Sequence, residues 1–485
     1  MFLVYSFFIY DYRHPDVLFH GNGSALILDF KTKKVLVVGA GISGIAAIKV
    51  LLSRGAEITV CDKKEQNKIL ESLPPGSVDN VAIYSNSSDI DLHGYDLLIV
   101  SPGIKPETEP IAQALARNIP VISEVELAYL IKSPAVEIYA VTGTNGKTTT
   151  TTLMQEILTA AGKTSAAGGN IGVALTTVVD EMKTGIAVAE ISSFQLEAIK
   201  TFRPHICGLL NITPDHIDRH KSMQNYIKIK SRIFENQQAE DYAVFNYEDP
   251  ALRKISEECP AQKVFFSTER ELESGAFIKN NTVTVRMHTQ EITICRLDEI
   301  LLRGKHNQEN VLCATAMAAV AGVEPEYIAA ALKTFKGVRH RMEEVDVVGG
   351  VLYINDSKGT NPESSIKAIE SFDVPIILIA GGRNKGSRFD LLAQAVRRSV
   401  KELILLGEAK EEIKSEVMTA GFANIHEVED LTAAVKKAHQ LAREGEVVLL
   451  SPACASWDMF DNYEQRGDLF CDTVHLMKVE KNDGI

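Results

Sequence analysis

The stretch Val136-Glu-Ile-Tyr-Ala-Val-Thr-Gly-Thr-Asn-Gly-Lys-Thr-Thr149 decides the fold of this chain. Val136–Val141 is a largely apolar run and predicts a buried strand, whereas the residues after Lys147 predict a helix that ends near Gly162. Between them lies a turn rich in glycine and threonine. A strand, a glycine turn and a helix in this order are typical of an α/β nucleotide-binding domain.

The turn differs from the common phosphate loop G-x-x-x-x-G-K-[ST], because Val141 stands where the first glycine is expected. Its chemistry is retained. Consecutive backbone amides can surround phosphate oxygens, Lys147 can reach the terminal phosphates, and Thr148 can bind Mg²⁺. The alternative is a helix cap without a ligand. We favour ATP binding, because the Lys-Thr pair stands where the helix begins.

Polar residues at two further strand ends suggest a metal site near this turn. Glu190 ends the predicted strand Gly185–Ile191, where a lone buried carboxylate is costly unless a cation is close. His216 and Asp218 follow the predicted strand His205–Ile212. Parallel sheets bind ligands at the carboxyl ends of their strands. Taken alone, His216 fits a structural histidine as well as a ligand.

A second glycine motif, Gly39-x-Gly41-x-x-Gly44, also lies between a predicted strand and a predicted helix. The helix amides there favour a diphosphate, and Asp62 ends the next strand at the spacing expected for a ribose contact. Taken alone, the motif suggests an oxidoreductase that binds a dinucleotide such as NAD. The alternative is that the glycines only allow close packing between strand and helix.

The rest of the chain repeats this pattern of alternating strands and helices. Three α/β blocks follow one another, and the third begins past Gly337. Short connections between strands and helices predict parallel sheets throughout, with Glu273–Cys295 as the antiparallel exception. At about 150 residues per domain, 485 residues are enough for three domains. Residues 1–30 precede the first regular signal, and we expect them to form an extension that is not essential.

Composition excludes several classes of protein. The chain is 45% hydrophobic and 24% charged, as globular proteins are, and its net charge of −13 argues against nucleic acid as a partner. The seven cysteines form no C-x-x-C pair, so we expect neither a zinc site nor a disulfide framework. No apolar run approaches the roughly 20 residues that span a membrane. We therefore expect a cytoplasmic protein that does not insert into membranes.

Several motifs together resemble the Mur ligases, the enzymes that build the peptide of the bacterial cell-wall precursor. In chain order the motifs are Thr142–Thr149, Gly169–Gly172, Glu190–Glu197, Asn211–Asp218, Gly304–Asn310, His340–Glu343, Asn355–Lys358 and Ser451–Ser456. The tail Ser451–Phe460, followed by Asn462–Gly467, is similar to the D-glutamate-adding branch of the family. The Asp-Asn-Pro-Arg signature of the branch that adds diaminopimelate or lysine does not occur.

The resemblance implies a fold, a reaction and its substrates. It implies a Rossmann-like UDP-sugar-binding domain at 31–132, a central P-loop-type ATPase domain with a parallel sheet at 133–336, and a Rossmann-like C-terminal domain at 337–485 that binds D-Glu. The implied reaction joins D-Glu to UDP-MurNAc-L-Ala through an acyl phosphate, with ATP as cosubstrate. No enzyme nucleophile is needed, so Cys454 is interpreted as a packing residue. A monomer is expected.

The resemblance also assigns roles to individual residues. The implied ATP ligands are Gly143, Thr144, Asn145, Gly146, Lys147, Thr148, Thr149, Asn307, Asn310, Arg341 and Asp356. The implied contacts of the UDP substrate are Ile42, Ser43, Asp62, Lys63, Asn170 and Gln195. The implied D-Glu contacts are Thr360, Lys385, Ser456 and Tyr463. Because the family often has Phe at the last position, the contact through Tyr463 stays open. For Lys385, the D-Glu contact is also expected independently of the resemblance, because a dicarboxylic amino acid needs a fixed cation for its side chain.

Two Mg²⁺ ions are implied, with Thr148, Glu190, His216 and Lys230 as ligands. Family members carry a lysine at the position of Lys230 that is carbamylated by CO₂, which converts an ammonium into an oxygen ligand for a hard cation. The segment Tyr226–Phe234 predicts an amphipathic helix, on which Lys228 is expected to be solvated. Lys147, Lys230, His216, Glu190 and Asn170 are the implied catalytic residues. A nucleotide-binding protein without catalysis is a third possible class.

Overall fold

The fold described below comes from a computed structural model of the chain. The structure describes residues 29–74, 81–86, 90–287, 290–302 and 304–482. The extension predicted at 1–30 therefore lies almost entirely outside the described residues. Phe30, which we assigned to that extension, is 3% exposed and packs in the first hydrophobic core.

The first sheet has five parallel strands in the order β3-β2-β1-β4-β5. Its strands are β1 Lys34–Val38, β2 Glu57–Cys61, β3 Val81–Tyr84, β4 Leu97–Val100 and β5 Val121–Ser123. Its helices are α1 Ile42–Ser53, α2 Gln66–Glu71, α3 Glu109–Ala116 and α4 Glu124–Ile131. Val35 and Leu36 of β1 belong to different core clusters, because successive side chains point to opposite faces.

The second sheet has nine strands in the order β14-β13-β12-β11-β10-β9-β6-β8-β7. Its strands are β6 Val136–Thr142, β7 Ser165–Gly169, β8 Gly185–Glu190, β9 Ile206–Leu209, β10 Tyr242–Asn246, β11 Gln262–Ser267, β12 Gly275–Lys279, β13 Thr282–Met287 and β14 Gln290–Arg296. The helices of this part of the chain are α5 Lys147–Ala160, α6 Leu175–Glu181, α7 Ser193–Leu196, α8 Ile217–His220, α9 Met223–Ser231, α10 Pro250–Ser256, α11 Lys305–Val320 and α12 Pro325–Thr334. Strands β12, β13 and β14 pair antiparallel, which confirms the predicted exception.

The third sheet has six strands in the order β15-β16-β20-β17-β18-β19. Its strands are β15 Glu343–Val348, β16 Val351–Asn355, β17 Ile376–Gly381, β18 Val400–Leu406, β19 Ile425–Glu427 and β20 Val447–Leu450. Its helices are α13 Pro362–Ile369, α14 Asp390–Ser399, α15 Lys410–Thr419, α16 Leu431–Leu441 and α17 Tyr463–Asn482.

The prediction of a single antiparallel exception was wrong. Strand β15 pairs antiparallel with β16, and Gly349 and Gly350 form the turn between them. Both glycines have positive φ, 62° and 78°, as two-residue hairpin turns require. The Gly-Gly pair was the sequence signal. Strand β15 was not recognised because it carries charged residues, and an edge strand needs no continuous apolar run.

The described chain divides into two compact units. The first carries the first two sheets and includes Glu309–Lys333, whereas the second consists of Ile300–Gln308 and the chain from Thr334 onward. Within the first unit, the buried carboxylate of Glu126 accepts hydrogen bonds from the amides of Lys200, Thr201 and Phe202, at 2.8 to 2.9 Å. Helix α4 is thereby joined to the loop that precedes β9.

Candidate active site

The phosphate-loop candidate lies between the end of β6 and the start of α5, as the sequence predicts. Gly146 has a left-handed backbone, with φ of 86°. A Cβ at this position would lie 2.1 Å from Oδ1 of Asn310, so only glycine allows α11 to approach the loop this closely. The side chain of Asn211 also holds the loop, accepting from the amide of Asn145 at 2.9 Å and donating to its carbonyl at 3.2 Å.

Two lysines meet at the loop. Nζ of Lys147 donates to the carbonyl oxygens of Gly143 and Thr144, at 3.0 and 2.8 Å. Nζ of Lys230 donates to the same oxygen of Gly143 at 2.8 Å. The loop therefore has a second cationic partner besides the predicted Lys147. Lys230 stands on α9, 87 residues along the chain from Gly143, so only the fold reveals the contact.

The environment of Lys230 disfavours its charged form. The residue is 1% exposed, and its Nζ lies 4.8 Å from the ring centroid of Tyr226. Burial, and then the charge of Lys147, hold the pKa of Lys230 well below its usual range, although Asp215 and Glu190 act in the opposite direction. Lys228 of the same helix is exposed, as predicted.

Glu190 ends β8, next to the loop-bearing strand β6, and its side chain is buried. Its Oε1 accepts a hydrogen bond from Nδ2 of Asn170 at 2.7 Å, whereas its buried Oε2 has no partner among the described residues. A buried carboxylate oxygen without a donor costs free energy unless a cation neutralises it. Together with the hydroxyl of Thr148 at the start of α5, this oxygen fits a hard cation such as Mg²⁺.

His216 is the residue that immediately precedes helix α8, and its backbone is left-handed, with φ of 53°. Its side chain is 43% exposed, and Nε2 lies 3.4 Å from Oδ2 of Asp215. The ring packs on Phe194, with 4.7 Å between centroids. Among the described residues, no group of three or more His, Cys, Asp or Glu side chains is placed to hold a metal by itself. A cation here would therefore need further oxygen ligands from a phosphate or a modified side chain.

Asp62, the predicted ribose contact, lies at the first glycine turn. Its Oδ2 accepts from the amide of Ala40 in the turn at 2.5 Å. Nζ of Lys64 donates to the carbonyl of Ala40 at 2.9 Å, and both Lys63 and Lys64 are exposed. Sequence reasoning missed Lys64, and a lysine two positions after Asp62 was the available signal. Ile42, at the start of α1, is exposed, and Ser43 is half-buried.

Gln195 lies in a short helix that immediately follows Glu190. Its Oε1 accepts from the amide and the hydroxyl of Ser192, at 2.9 and 3.0 Å, and completes a capping box at the start of α7. The carboxamide oxygen therefore fixes the local turn. A contact of Gln195 with a substrate would have to use its Nε2.

Three further predicted ATP ligands lie in the second unit. Asp356 follows β16, and its buried Oδ1 lies 3.8 Å from Nη1 of Arg341. Burial raises the pKa of Asp356 to about 6. Asn307 is buried in this unit, whereas the fourth ligand, Asn310, belongs to the first unit and packs beside Thr150, with 3.4 Å between side-chain oxygens.

The predicted D-Glu contacts lie on turns at the carboxyl edge of the third sheet. The turns after β17 and β20 are joined through Arg383 and Ala455, whose backbones exchange hydrogen bonds of 2.8 and 3.1 Å. The first turn carries Lys385 and the second carries Ser456 and Trp457. Nζ of Lys385 lies 5.9 Å from the ring centroid of Trp457, which is 62% exposed. Trp457 is therefore not a core residue.

Two other predicted contacts flank the same edge. Thr360 follows β16 and Tyr463 begins α17. Nζ of Lys358 lies 5.3 Å from the ring centroid of Tyr463. Cys454 is buried, and burial raises the pKa of its thiol to about 12, which agrees with the predicted packing role.

The chain matches three family models along most of its length. They are the Mur ligase MurD-like N-terminal domain at residues 33–123, the Mur ligase middle domain at 141–318, and the Mur ligase glutamate ligase domain at 340–454.

Curated relatives match nearly end to end. The UDP-N-acetylmuramoylalanine–D-glutamate ligase of Pelotomaculum thermopropionicum is 44% identical over 463 residues, covering 93% of this chain and 100% of that protein. The enzyme of the same name from Clostridioides difficile is 42% identical over 458 residues, with the same two coverages.

Solved structures share the fold. UDP-N-acetylmuramate-alanine ligase from Thermotoga maritima has a TM-score of 0.58 and 18% identity, covering 92% of this chain and 100% of that one. The MurF ligase from the same organism, solved with ADP, has a TM-score of 0.58 and 16% identity, covering 93% of this chain and 96% of that one. At these identities the likeness shows the three-domain α/β fold alone.

Proposed function

The chain belongs to the Mur ligase family, and from that premise we propose that it joins D-glutamate to UDP-N-acetylmuramoyl-L-alanine in an ATP-dependent reaction. Relatives that are 42–45% identical and nearly full-length carry the name of this ligase. The observation that carries the proposal is that Lys147 and Lys230 both donate to the loop carbonyl of Gly143. The adjacent strand ends in Glu190, whose buried Oε2 has no hydrogen-bond partner among the described residues.

The chemistry explains why ATP is needed. A carboxylate is a poor acylating agent, because oxide is a poor leaving group. The L-alanyl carboxylate of the substrate attacks the γ-phosphorus, the bond to ADP breaks, and an acyl phosphate forms. The amine of D-Glu then attacks the carbonyl carbon, inorganic phosphate leaves, and the nitrogen loses a proton. The enzyme aligns reactants and neutralises charge, so it needs no nucleophile of its own.

Lys147 supplies the fixed positive charge for the phosphates. Its Nζ donates to the carbonyl oxygens of Gly143 and Thr144, and this contact with the loop before α5 supports the assignment. We assign the loop residues Gly143 to Thr149, with Asn307, Asn310, Arg341 and Asp356, to ATP binding. The buried carboxylate of Asp356 and the nearby Arg341 supply a negative and a positive group for the nucleotide.

Two Mg²⁺ ions complete the proposed site, with Thr148, Glu190, His216 and a carbamylated Lys230 as ligands. When bound, the metal offsets the negative charge of phosphate and carboxylate oxygens. The orphaned oxygen of Glu190 supports the fit, as does the proximity of Asp215 to His216. Asn170 orients Glu190 through the hydrogen bond to Oε1.

Lys230 is suited to carbamylation because its amine is disposed to be neutral. The unprotonated nitrogen attacks the carbon of CO₂ and loses a proton, which leaves a carbamate anion on the same stem. Burial beside Lys147 disfavours the ammonium and therefore favours this reaction. The carbamate would add an oxygen ligand where the His, Asp and Glu side chains do not suffice.

The contacts of the other two substrates are assigned to residues from all three parts of the chain. Ile42, Ser43, Asp62 and Lys63 are proposed to contact the UDP group, and we add Lys64 because its Nζ lies at the glycine turn. Asn170 and Gln195 are proposed to contact the sugar-linked part. Thr360, Lys385, Ser456 and Tyr463 are proposed to bind D-Glu. The domains proposed for these roles span 31–132, 133–336 and 337–485.

The setting of the enzyme follows from its substrates. ATP and the UDP-linked precursor are cytoplasmic compounds, so we place the reaction in the cytoplasm. No helix among the described residues is both long and apolar enough to span a membrane. We propose a monomer, as the resemblance to the Mur ligases implies. Light scattering should then give a mass near 53.2 kDa.

One assay tests the proposed function. Phosphate release should require ATP, Mg²⁺, UDP-N-acetylmuramoyl-L-alanine and D-Glu together, and mass spectrometry should detect the joined product. Phosphate release without dependence on D-Glu, or the same rate with L-lysine or diaminopimelate, would contradict the assignment. Binding of ATP without turnover would indicate a nucleotide-binding protein that is not an enzyme.

A further inference from the structure

A buried arginine is hydrogen-bonded to two of the turns that carry residues assigned to D-Glu. Arg466, in the first turn of α17, is 2% exposed. Its Nε donates to Oγ of Ser357 at 3.0 Å, and its Nη2 donates to the carbonyl oxygens of Ser357 and Cys454, at 2.8 and 3.2 Å. The guanidinium thus joins the turn after β16 to the turn after β20.

All three acceptors of Arg466 are uncharged. Among the described residues, no carboxylate oxygen lies within 4.0 Å of the guanidinium, although Asp356 and Asp458 act on it from a longer distance. Burial lowers the pKa of Arg466 to about 10, so the side chain still carries its charge at neutral pH. A buried charge without a direct counter-ion is costly, which indicates a role for the charge beyond holding the two turns.

The free edge of the guanidinium lies beside a position without a side chain. The three hydrogen bonds use Nε and Nη2, and Nη1 has no acceptor among the described residues. Nη1 is 3.2 Å from where a Cβ of Gly382 would stand. Gly382 belongs to the turn that leads to Lys385, so the charged guanidinium lies next to that turn. Its hydrogen bond to the carbonyl of Cys454 also brings it next to the turn that carries Ser456.

We propose that Arg466 is a positioning and specificity residue of the acceptor site: it fixes the turn that bears Ser456, and its charge favours an amino acid with a carboxylate side chain over the corresponding amide. The inference rests on the proposed function. It assigns the preference for an acidic acceptor to two cations, an exposed one on Lys385 and a buried one on Arg466. An acceptor such as D-Gln, which has the same shape but one negative charge fewer, gains less from either.

The test compares D-Glu with D-Gln. For each variant, kcat/KM is measured for both amino acids, and D-Gln is measured as a competitive inhibitor where its turnover is too slow. Arg466→Gln and Arg466→Met remove the charge, and we expect the preference for D-Glu to fall about tenfold, the effect of one charge interaction of moderate range. Arg466→Lys keeps the charge and loses the planar fork, so both acceptors should become poorer while the preference stays within twofold of wild type.

Arg397→Gln removes an exposed charge from α14 of the same unit and serves as the control, with no expected change. An equal loss on D-Glu and D-Gln in both neutral variants would show that Arg466 is only structural and would overturn the inference. If neither neutral variant folds, Ser357→Asp places a carboxylate against the intact guanidinium and should lower the preference in the same way. An unchanged preference there also overturns it. Absence of D-Glu-dependent turnover in the wild type would instead refute the proposed function.

Discussion

Lys147 and Lys230 share one hydrogen-bond acceptor: their Nζ atoms both donate to the carbonyl oxygen of Gly143, at 3.0 and 2.8 Å. Two ammonium groups that donate to the same oxygen atom repel each other, and Lys230 is the more deeply buried of the two lysines. The low pKa that burial and Lys147 impose on Lys230 relieves this repulsion. Lys147 is then the charged lysine of the loop, and Lys230 supplies the neutral amine that can react with CO₂.

Replacing Lys230 by Arg should nearly abolish activity. Arginine keeps a positive charge and cannot form the carbamate, so phosphate release with all substrates should fall about a thousandfold or more, by analogy with the loss of other charge-stabilising groups. Lys228→Arg, on the exposed side of the same helix, should remain close to wild type. Full activity of Lys230→Arg, or an unmodified Lys230 in high-resolution density of the metal-bound complex, would refute the carbamate.

Replacing Lys147 by Ala should remove phosphoryl transfer without disturbing the UDP substrate. The loop would lose the cation that faces the phosphates, and kcat should again drop about a thousandfold or more. The affinity for the UDP substrate, measured by calorimetry, should stay within twofold. Lys163→Ala, at an exposed position beyond α5, is the control. Turnover near normal in Lys147→Ala would mean that the phosphate loop is misassigned.

Replacing Lys385 by Ala should weaken the binding of D-Glu selectively. The KM for D-Glu should rise by at least tenfold, whereas the KM for ATP should hardly change, because the lost cation pairs with the acceptor's carboxylate. Trp457 is the sole tryptophan and lies beneath Nζ of Lys385, so its emission should respond to D-Glu in the wild type. Lys436→Ala, on α16, should behave as wild type. An emission that does not move with D-Glu, an ATP analogue and the UDP substrate all present would contradict the placement.

Replacing Glu124 by Gln should stabilise the protein at high pH and much less at low pH. Burial raises the pKa of Glu124 to about 7, although its Oε1 accepts from the amide and hydroxyl of Thr176 at 2.6 and 2.8 Å. The folded state therefore binds a proton that the unfolded state, with a pKa near 4.5, has released. This stabilisation is fully present below pH 4.5 and is lost as the pH rises through about 7.

Glutamine resembles the protonated acid at every pH. The gain in the free energy of unfolding at pH 8 should be on the order of 2 kcal/mol, and it should shrink towards pH 5. Urea unfolding at both pH values measures it, and Glu181→Gln, an exposed position on α6, is the control. A gain that is equal at pH 5 and pH 8 would show that Glu124 stays ionised.

Much of the candidate site was predictable because its parts are local. A strand, a turn and a helix that adjoin in sequence also adjoin in space, so the loop before α5 and the strand-end Glu190 could be placed by pattern. The hairpin of β15 and β16 was missed, since its edge strand carries charges on residues that a buried strand would make apolar. The contact of Lys64 with the first glycine turn was not predicted, because it joins residues 24 positions apart in the chain.

By itself, the sequence determined the α/β class, the three successive blocks, the phosphate loop and the family resemblance. All of these depend on periodicity or on residues within about a dozen positions of one another. The tertiary structure alone decided that Lys230 meets Gly143, 87 residues away, and that Arg466 meets Ser357, 109 residues away. The order of strands in a sheet differs from their order in the chain, and β6 lies between β8 and β9. The order of the strands decides which side chains from distant parts of the chain are buried together. It therefore also decides that the amine of Lys230 is buried beside Lys147, where its pKa is lowered.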